Sequence, residues 1–215
     1  MRLRPVDLLF VLSLLISANY FSNALMDLSG AWMTAEKGVC VGLLALWAAL
    51  QARRLDGWLI AAALALGAAG DVLLETHGFT IGGIAFLAGH LMATTLYLRN
   101  RRAPILPALA VAAFTALAAW SLPADRSVAP GIALYAAGLG VMAGTALTSR
   151  FPLGTVGLGA LLFILSDLLI FARIGPLEGS IVPRLLVWPT YIAAQALIAW
   201  GVVRTLARER GSLRG

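Results

Sequence analysis

Eight apolar runs of about 20 residues follow one another along the chain, at 6–23, 32–50, 57–75, 80–98, 104–121, 130–149, 154–173 and 182–204. A helix needs about 20 such residues to cross a hydrocarbon core of about 30 Å. Short stretches with turn or boundary signals separate them, among them Arg53-Arg54-Leu55-Asp56-Gly57, Thr76-His77-Gly78, Arg101-Arg102-Ala103-Pro104, Pro123-Ala124-Asp125-Arg126, Phe151-Pro152 and Gly175-Pro176. Within the runs the periodicity is helical rather than alternating, and a barrel would need more and shorter segments. The pattern predicts an all-α, polytopic membrane protein: eight transmembrane helices in one bundle, forming a single integral membrane domain over residues 1–215. Arg2 and Arg4 ahead of the first run imitate a signal peptide, but Asp7 and the lack of a small-x-small cleavage pattern favour a retained span. Small-xxx-small pairs such as Gly38/Gly42, Gly78/Gly82 and Gly140/Gly144 read as close helix packing.

Composition agrees with this reading. Hydrophobic residues make up 60% and charged residues 12%, more apolar surface than a soluble domain of 215 residues can hide. The single cysteine, Cys40, lies in an apolar run and excludes an internal disulfide. A net charge of +6 raises the question of nucleic acid. The basic residues sit in turns between apolar segments, however, which suits anionic lipid head groups and not a nucleic-acid partner. Twelve of the sixteen Lys and Arg fall on one side of an eight-span arrangement, leaving Lys37, Arg126, Arg173 and Arg184 on the other. That asymmetry predicts both termini in the cytoplasm. Fifteen arginines against one lysine associate the chain with a GC-rich genome, and the expected location is a bacterial inner membrane.

The polar positions inside the runs carry the chemistry, because an ionisable side chain at membrane depth is costly and marks function by default. Counting about 1.5 Å per residue, Asn19, Lys37, Asp71, His90, Asp167, Tyr191 and Gln195 lie in the central and outer half of the bundle, on six segments. A shared polar cavity is the economical expectation. Asp71 follows Gly70, with Gly67 one turn earlier, small residues that make room for a ligand or another helix. Asp167 follows Ser166, whose hydroxyl has its own backbone one turn back as an alternative partner, and Phe163 and Phe171 flank it at i−4 and i+4. His90 shares a face with Phe86 and Tyr97. Lys37 is placed to neutralise an aspartate, to hold a phosphate, or to snorkel to the surface. Tyr191 and Gln195 form an i, i+4 pair, with Trp188 one turn before. Glu75, one turn outward of Asp71, is placed at the mouth, and Glu36 at the interface. No metal and no cofactor is called for: the other histidine, His77, is in a turn, and no ligand set accompanies His90. No nucleophile motif stands out. On the residues alone the choice stays open between intramembrane acid chemistry and a path for a proton or solute.

The motifs GAAGDVLLE, FLAGHLMATTLY, GALLFILSDLLI and YIAAQALIAWG, with Lys37 early in the second run, resemble the YhhN-type lysoplasmalogenase family of eight-span proteins over nearly the whole chain. The resemblance implies hydrolysis of the vinyl ether bond of a lysophospholipid substrate, releasing a fatty aldehyde and a glycerophospho-ethanolamine or -choline. It matches the two family aspartates to Asp71 and Asp167, the motif histidine to His90 and the last-helix tyrosine to Tyr191. Protonating a vinyl ether carbon takes one carboxylic acid, and a carboxylate then stabilises the cation and activates water, as in a two-carboxylate glycosidase by analogy. A proton-coupled transporter and a different lysolipid hydrolase are the alternatives; clear inverted repeats and broken helices, which a transporter would favour, are not obvious.

Overall fold

Gly78 folds the longest helix back on itself. The computed structural model describes residues 4–212, and its third helix, α3 (Leu55–Arg99), runs 45 residues with one break, Gly78 at φ 81°, ψ 179°. An L side chain resists that left-handed region and glycine does not. The two arms run antiparallel in contact: Arg99 Nε and Asn100 Nδ2 donate to Asp56 at 2.8 and 3.0 Å, and a β-carbon at Gly70 would stand 2.6 Å from the Phe86 ring. The break is where Thr76-His77-Gly78 predicts one, and the arms are the third and fourth predicted segments.

The other helices are α1 (Asp7–Leu25), α2 (Ala31–Gln51), α4 (Leu106–Ser121), α5 (Ala129–Leu147), α6 (Leu158–Ala172), entered through a π-helical turn (Leu153–Gly157), and α7 (Ile181–Ser212). There is no strand among the described residues. Six helices, α3 counted as one, are long and apolar enough to cross a membrane, and α4 is a shorter apolar helix of 16 residues. The chain is a helical integral membrane protein. α4 packs on α5 through small residues: a β-carbon at Gly144 would lie 2.5 Å from Ala108 Cα, and one at Gly140 2.6 Å from Ala112 Cα. The outside is apolar, with Phe114, Leu117 and Leu134 about 70% exposed, while Asp71, His90, Ser166, Asp167 and Gln195 are buried. An inside more polar than its outside suits a hydrocarbon solvent.

One end of the bundle is arginine-rich and tightly paired. Asp7 is buried there, and a carboxylate in such a place needs partners. Arg4 and Arg204 pair with it at 3.3 and 3.0 Å, Trp47 Nε1 donates to it at 3.1 Å, and Arg204 stacks on Trp200. Arg150 bonds Asn100 at 2.5 Å and pairs with Glu209. The start of α1, the end of α7 and the connections after α2, α3 and α5 therefore meet at one end. The opposite end holds the α1–α2 connection, where Arg184 pairs with Asp27 at 2.9 Å.

Candidate functional site

Five of the polar residues singled out in the sequence come together in the interior, in two arrays. In the first, Tyr191 of α7 donates to Asp71 Oδ2 at 2.7 Å, and Gln195 Nε2, one turn on, donates to the Tyr191 oxygen at 3.1 Å. Gly67 makes the approach: a β-carbon there would stand 2.9 Å from Gln195 Nε2. The small residue beside the acid thus admits a neighbouring helix.

In the second array, Tyr135 of α5 donates to Asp167 Oδ2 at 2.7 Å, and its oxygen lies 3.2 Å from His90 Nε2. Sequence reasoning passed over Tyr135, which joins three helices. The signal was there in its being the one aromatic in the run 130–149.

An aromatic wall stands between the arrays. Phe163, one turn before Asp167, lies edge-on to His90 at 5.0 Å and to Tyr191 at 5.4 Å between centroids. Phe86, one turn before His90, lies edge-on to Tyr191 at 6.0 Å. Phe171 packs edge-on against Tyr135 at 6.0 Å. Each acid therefore has its own phenol, yet one ring, Phe163, touches both sets. Beside this wall is a cavity of about 30 Å³ whose lining includes His90, Gln195, Gly67 and Gly89. That is room for a water, and the two side chains offer the polar partners a buried water needs.

The remaining candidates lie elsewhere, so the single shared cavity expected from depth is divided. Lys37 pairs with Glu75 at 2.7 Å and lines an open pocket of about 340 Å³ under the α1–α2 connection. Glu75 lines it too, as its place at the mouth predicts. Tyr20 separates this pocket from the interior: it lines the pocket and packs on Trp188 at 4.3 Å, which in turn meets Tyr191 at 5.6 Å. Asn19 does not join either compartment. It is exposed and donates to Glu36 at 2.6 Å, because depth along a helix does not fix the face: Asn19 is two positions, about 200°, from buried Ser17. Ser166 does not bond its own backbone; its hydroxyl donates to Val187 O at 3.0 Å and ties α6 to α7.

Two buried carboxyls, each with a phenol donor and one with an imidazole behind it, can give and take protons where water is scarce. Compared with known proteins, the chain matches the model of the YhhN family over residues 32–202, a stretch that contains both arrays and Lys37. No curated protein and no solved structure matches the chain.

Proposed function

Because the chain belongs to the YhhN family, we propose that it is a lysoplasmalogenase-type hydrolase, cleaving the vinyl ether of a lysophospholipid to a fatty aldehyde and a glycerophospho-ethanolamine or -choline. The observation that carries this reading is the pair of buried carboxyls, each held by its own tyrosine on either side of one aromatic wall.

The two arrays differ in what their protons can do, and that difference divides the roles. A phenol has one hydrogen to give and lone pairs to receive with. On the Asp71 side, Gln195 donates through its amide nitrogen, which cannot accept, so Tyr191 is left pointing its hydrogen at Asp71. That oxygen of the carboxyl is an acceptor, the arrangement that suits an ionised acid. On the Asp167 side both orders are open: His90 to Tyr135 to Asp167 when the acid is ionised, and Asp167 to Tyr135 to His90 when it carries the proton. Asp167 is accordingly the proton donor and Asp71 the carboxylate.

The steps balance without a further reactant. Asp167 transfers its proton to the vinyl carbon remote from the ether oxygen, and the electron pair of the double bond forms the new C–H bond. The resulting oxocarbenium ion is stabilised by Asp71, which takes one proton from the attacking water as its oxygen bonds to the cationic carbon. The hemiacetal loses the glycerol oxygen as an alcohol, which takes up the proton held by Asp71, and the hydroxyl proton leaves to His90 as the carbonyl forms. One water is consumed, and Tyr135 and His90 return the proton to Asp167. The cavity lined by His90 and Gln195 supplies the place from which that water is drawn.

Purified protein given alkenyl, alkyl and acyl lysolipids of one chain length tests the reading. Mass spectrometry should find aldehyde from the alkenyl lipid alone, carrying one deuterium beside the carbonyl when the reaction is run in D2O. Fatty acid from the acyl lipid would instead favour a different lysolipid hydrolase. Proton flux in proteoliposomes without any product would favour a transporter.

A further inference from the structure

The open pocket at the outer end is built of opposite charges. Lys37, the chain's only lysine, is held in the wall with its side chain 14% exposed, whereas the Glu75 carboxylate it pairs with is 48% exposed. The other acid in the lining, Asp27, already has Arg184 as partner. The pocket therefore has one ammonium set deep, one carboxylate facing the opening, and the polar groups of Tyr20, Ser29 and Thr34 around them. A simple anion entering it meets Glu75, and a simple cation meets Lys37. A ligand with a negative and a positive group a short linker apart replaces the internal pair by two new ones and leaves no charge unmatched.

The pocket also lies at a useful depth. Glu75 follows Asp71 by four residues on the same face of α3, about 6 Å along the axis. An anionic group at Lys37 thus stands one helical turn outward of the proposed reaction centre. A three-carbon glycerol unit with its ether oxygen covers such a step, and Tyr20 is the side chain it would pass.

We infer that this outer pocket binds the phosphoammonium head group of a single-chain lipid, Lys37 taking the phosphate and Glu75 the ammonium. The assignment rests on the hydrolase reading for the position of the ether, but head-group recognition can be measured without turnover. Acyl lysolipids, which have no vinyl ether, serve as probes with the full-length protein in detergent, binding being followed by calorimetry. The arms are acyl lysophosphatidylethanolamine, acyl lysophosphatidic acid, monoacylglycerol and free phosphoethanolamine.

The zwitterionic lipid should bind about tenfold more tightly than either other lipid, and free phosphoethanolamine much more weakly. Glu75→Gln should abolish the preference over lysophosphatidic acid, and Lys37→Gln should weaken both phospholipids toward monoacylglycerol. The double variant Lys37→Glu/Glu75→Lys keeps the ion pair while reversing it, and should lose the preference even if a single variant fails to fold. Equal binding of monoacylglycerol, or an unchanged preference in the double variant, overturns the proposal. Equal binding of free phosphoethanolamine overturns it too, making the site one for a soluble zwitterion. Discrimination among head groups without aldehyde release from alkenyl lipid leaves the pocket standing and removes the hydrolase; aldehyde release without discrimination does the reverse.

Discussion

At the scale of the residue, Tyr135 is the joint of the second array. It stands between His90 and Asp167 at hydrogen-bonding distance from both, and in the proposed mechanism its hydroxyl carries the proton back to the acid. Tyr135→Phe keeps the ring, and with it the packing against Phe171 and His90, but removes the oxygen. Steady-state kinetics should show kcat lowered by about 100-fold with KM little changed, the scale expected for lost acid–base assistance. A Tyr135→Phe enzyme with unchanged kcat would take the relay away. Asp71, Asp167, His90, Tyr191 and Gln195 were legible in the sequence because polar groups inside apolar runs stand out. Tyr135 was not, because a tyrosine six residues into a helix reads as an interfacial aromatic. Asn19 misled for the opposite reason: its face was not legible, because the faces of a helix that buries little of itself are hard to tell from its sequence. Only Asp7, Ser13 and Ser17 of α1 are buried.

At the scale of the element, the apolar runs predicted the helices closely, since helix ends fall where turn signals and prolines stop the backbone from continuing. Two departures have physical reasons. The run from 104 yields a helix only from Leu106, because Arg102 and Ala103 donate instead to Thr148 O at 2.9 and 3.1 Å and hold the entry against the end of α5. The 16 residues of α4 are fewer than the roughly 20 that span a bilayer without adjustment. The seventh run opens as a π-helical turn, where Gly201 of α7 lets Thr155 approach: a β-carbon there would lie 2.4 Å from its hydroxyl. Apolar periodicity does not report such a contact, because a widened turn and an α-turn use the same residues. The glycine pair Gly140/Gly144 behaves as predicted, closing α5 on α4. Gly78 does not pack a helix; it turns one.

At the scale of the whole molecule, the bundle has two unlike ends, and its orientation follows from them. At the basic end Arg4 and Arg204 pair with Asp7, Arg99 with Asp56 and Arg150 with Glu209, and positive charge is retained on the cytoplasmic side. We propose that this end, with both termini, faces the cytoplasm, which sets the Lys37 pocket toward the outer leaflet. Cys40 is buried, so an introduced cysteine can report on sidedness. On intact cells an impermeant maleimide should label Ser180→Cys and spare Arg208→Cys; the reverse would invert the orientation. In that proposed orientation the charged pocket stands at the lipid head-group level, with the two acids in the interior beneath it. What ties the whole together is the claim that both acids are needed and that neither is needed for folding. Aldehyde release from an alkenyl lysolipid by Asp71→Asn and Asp167→Asn, each purified and matched to the parent protein in thermal unfolding, tests this most directly. Each variant should lose at least about 100-fold in turnover; parent-level turnover in either folded variant would contradict the need for both acids.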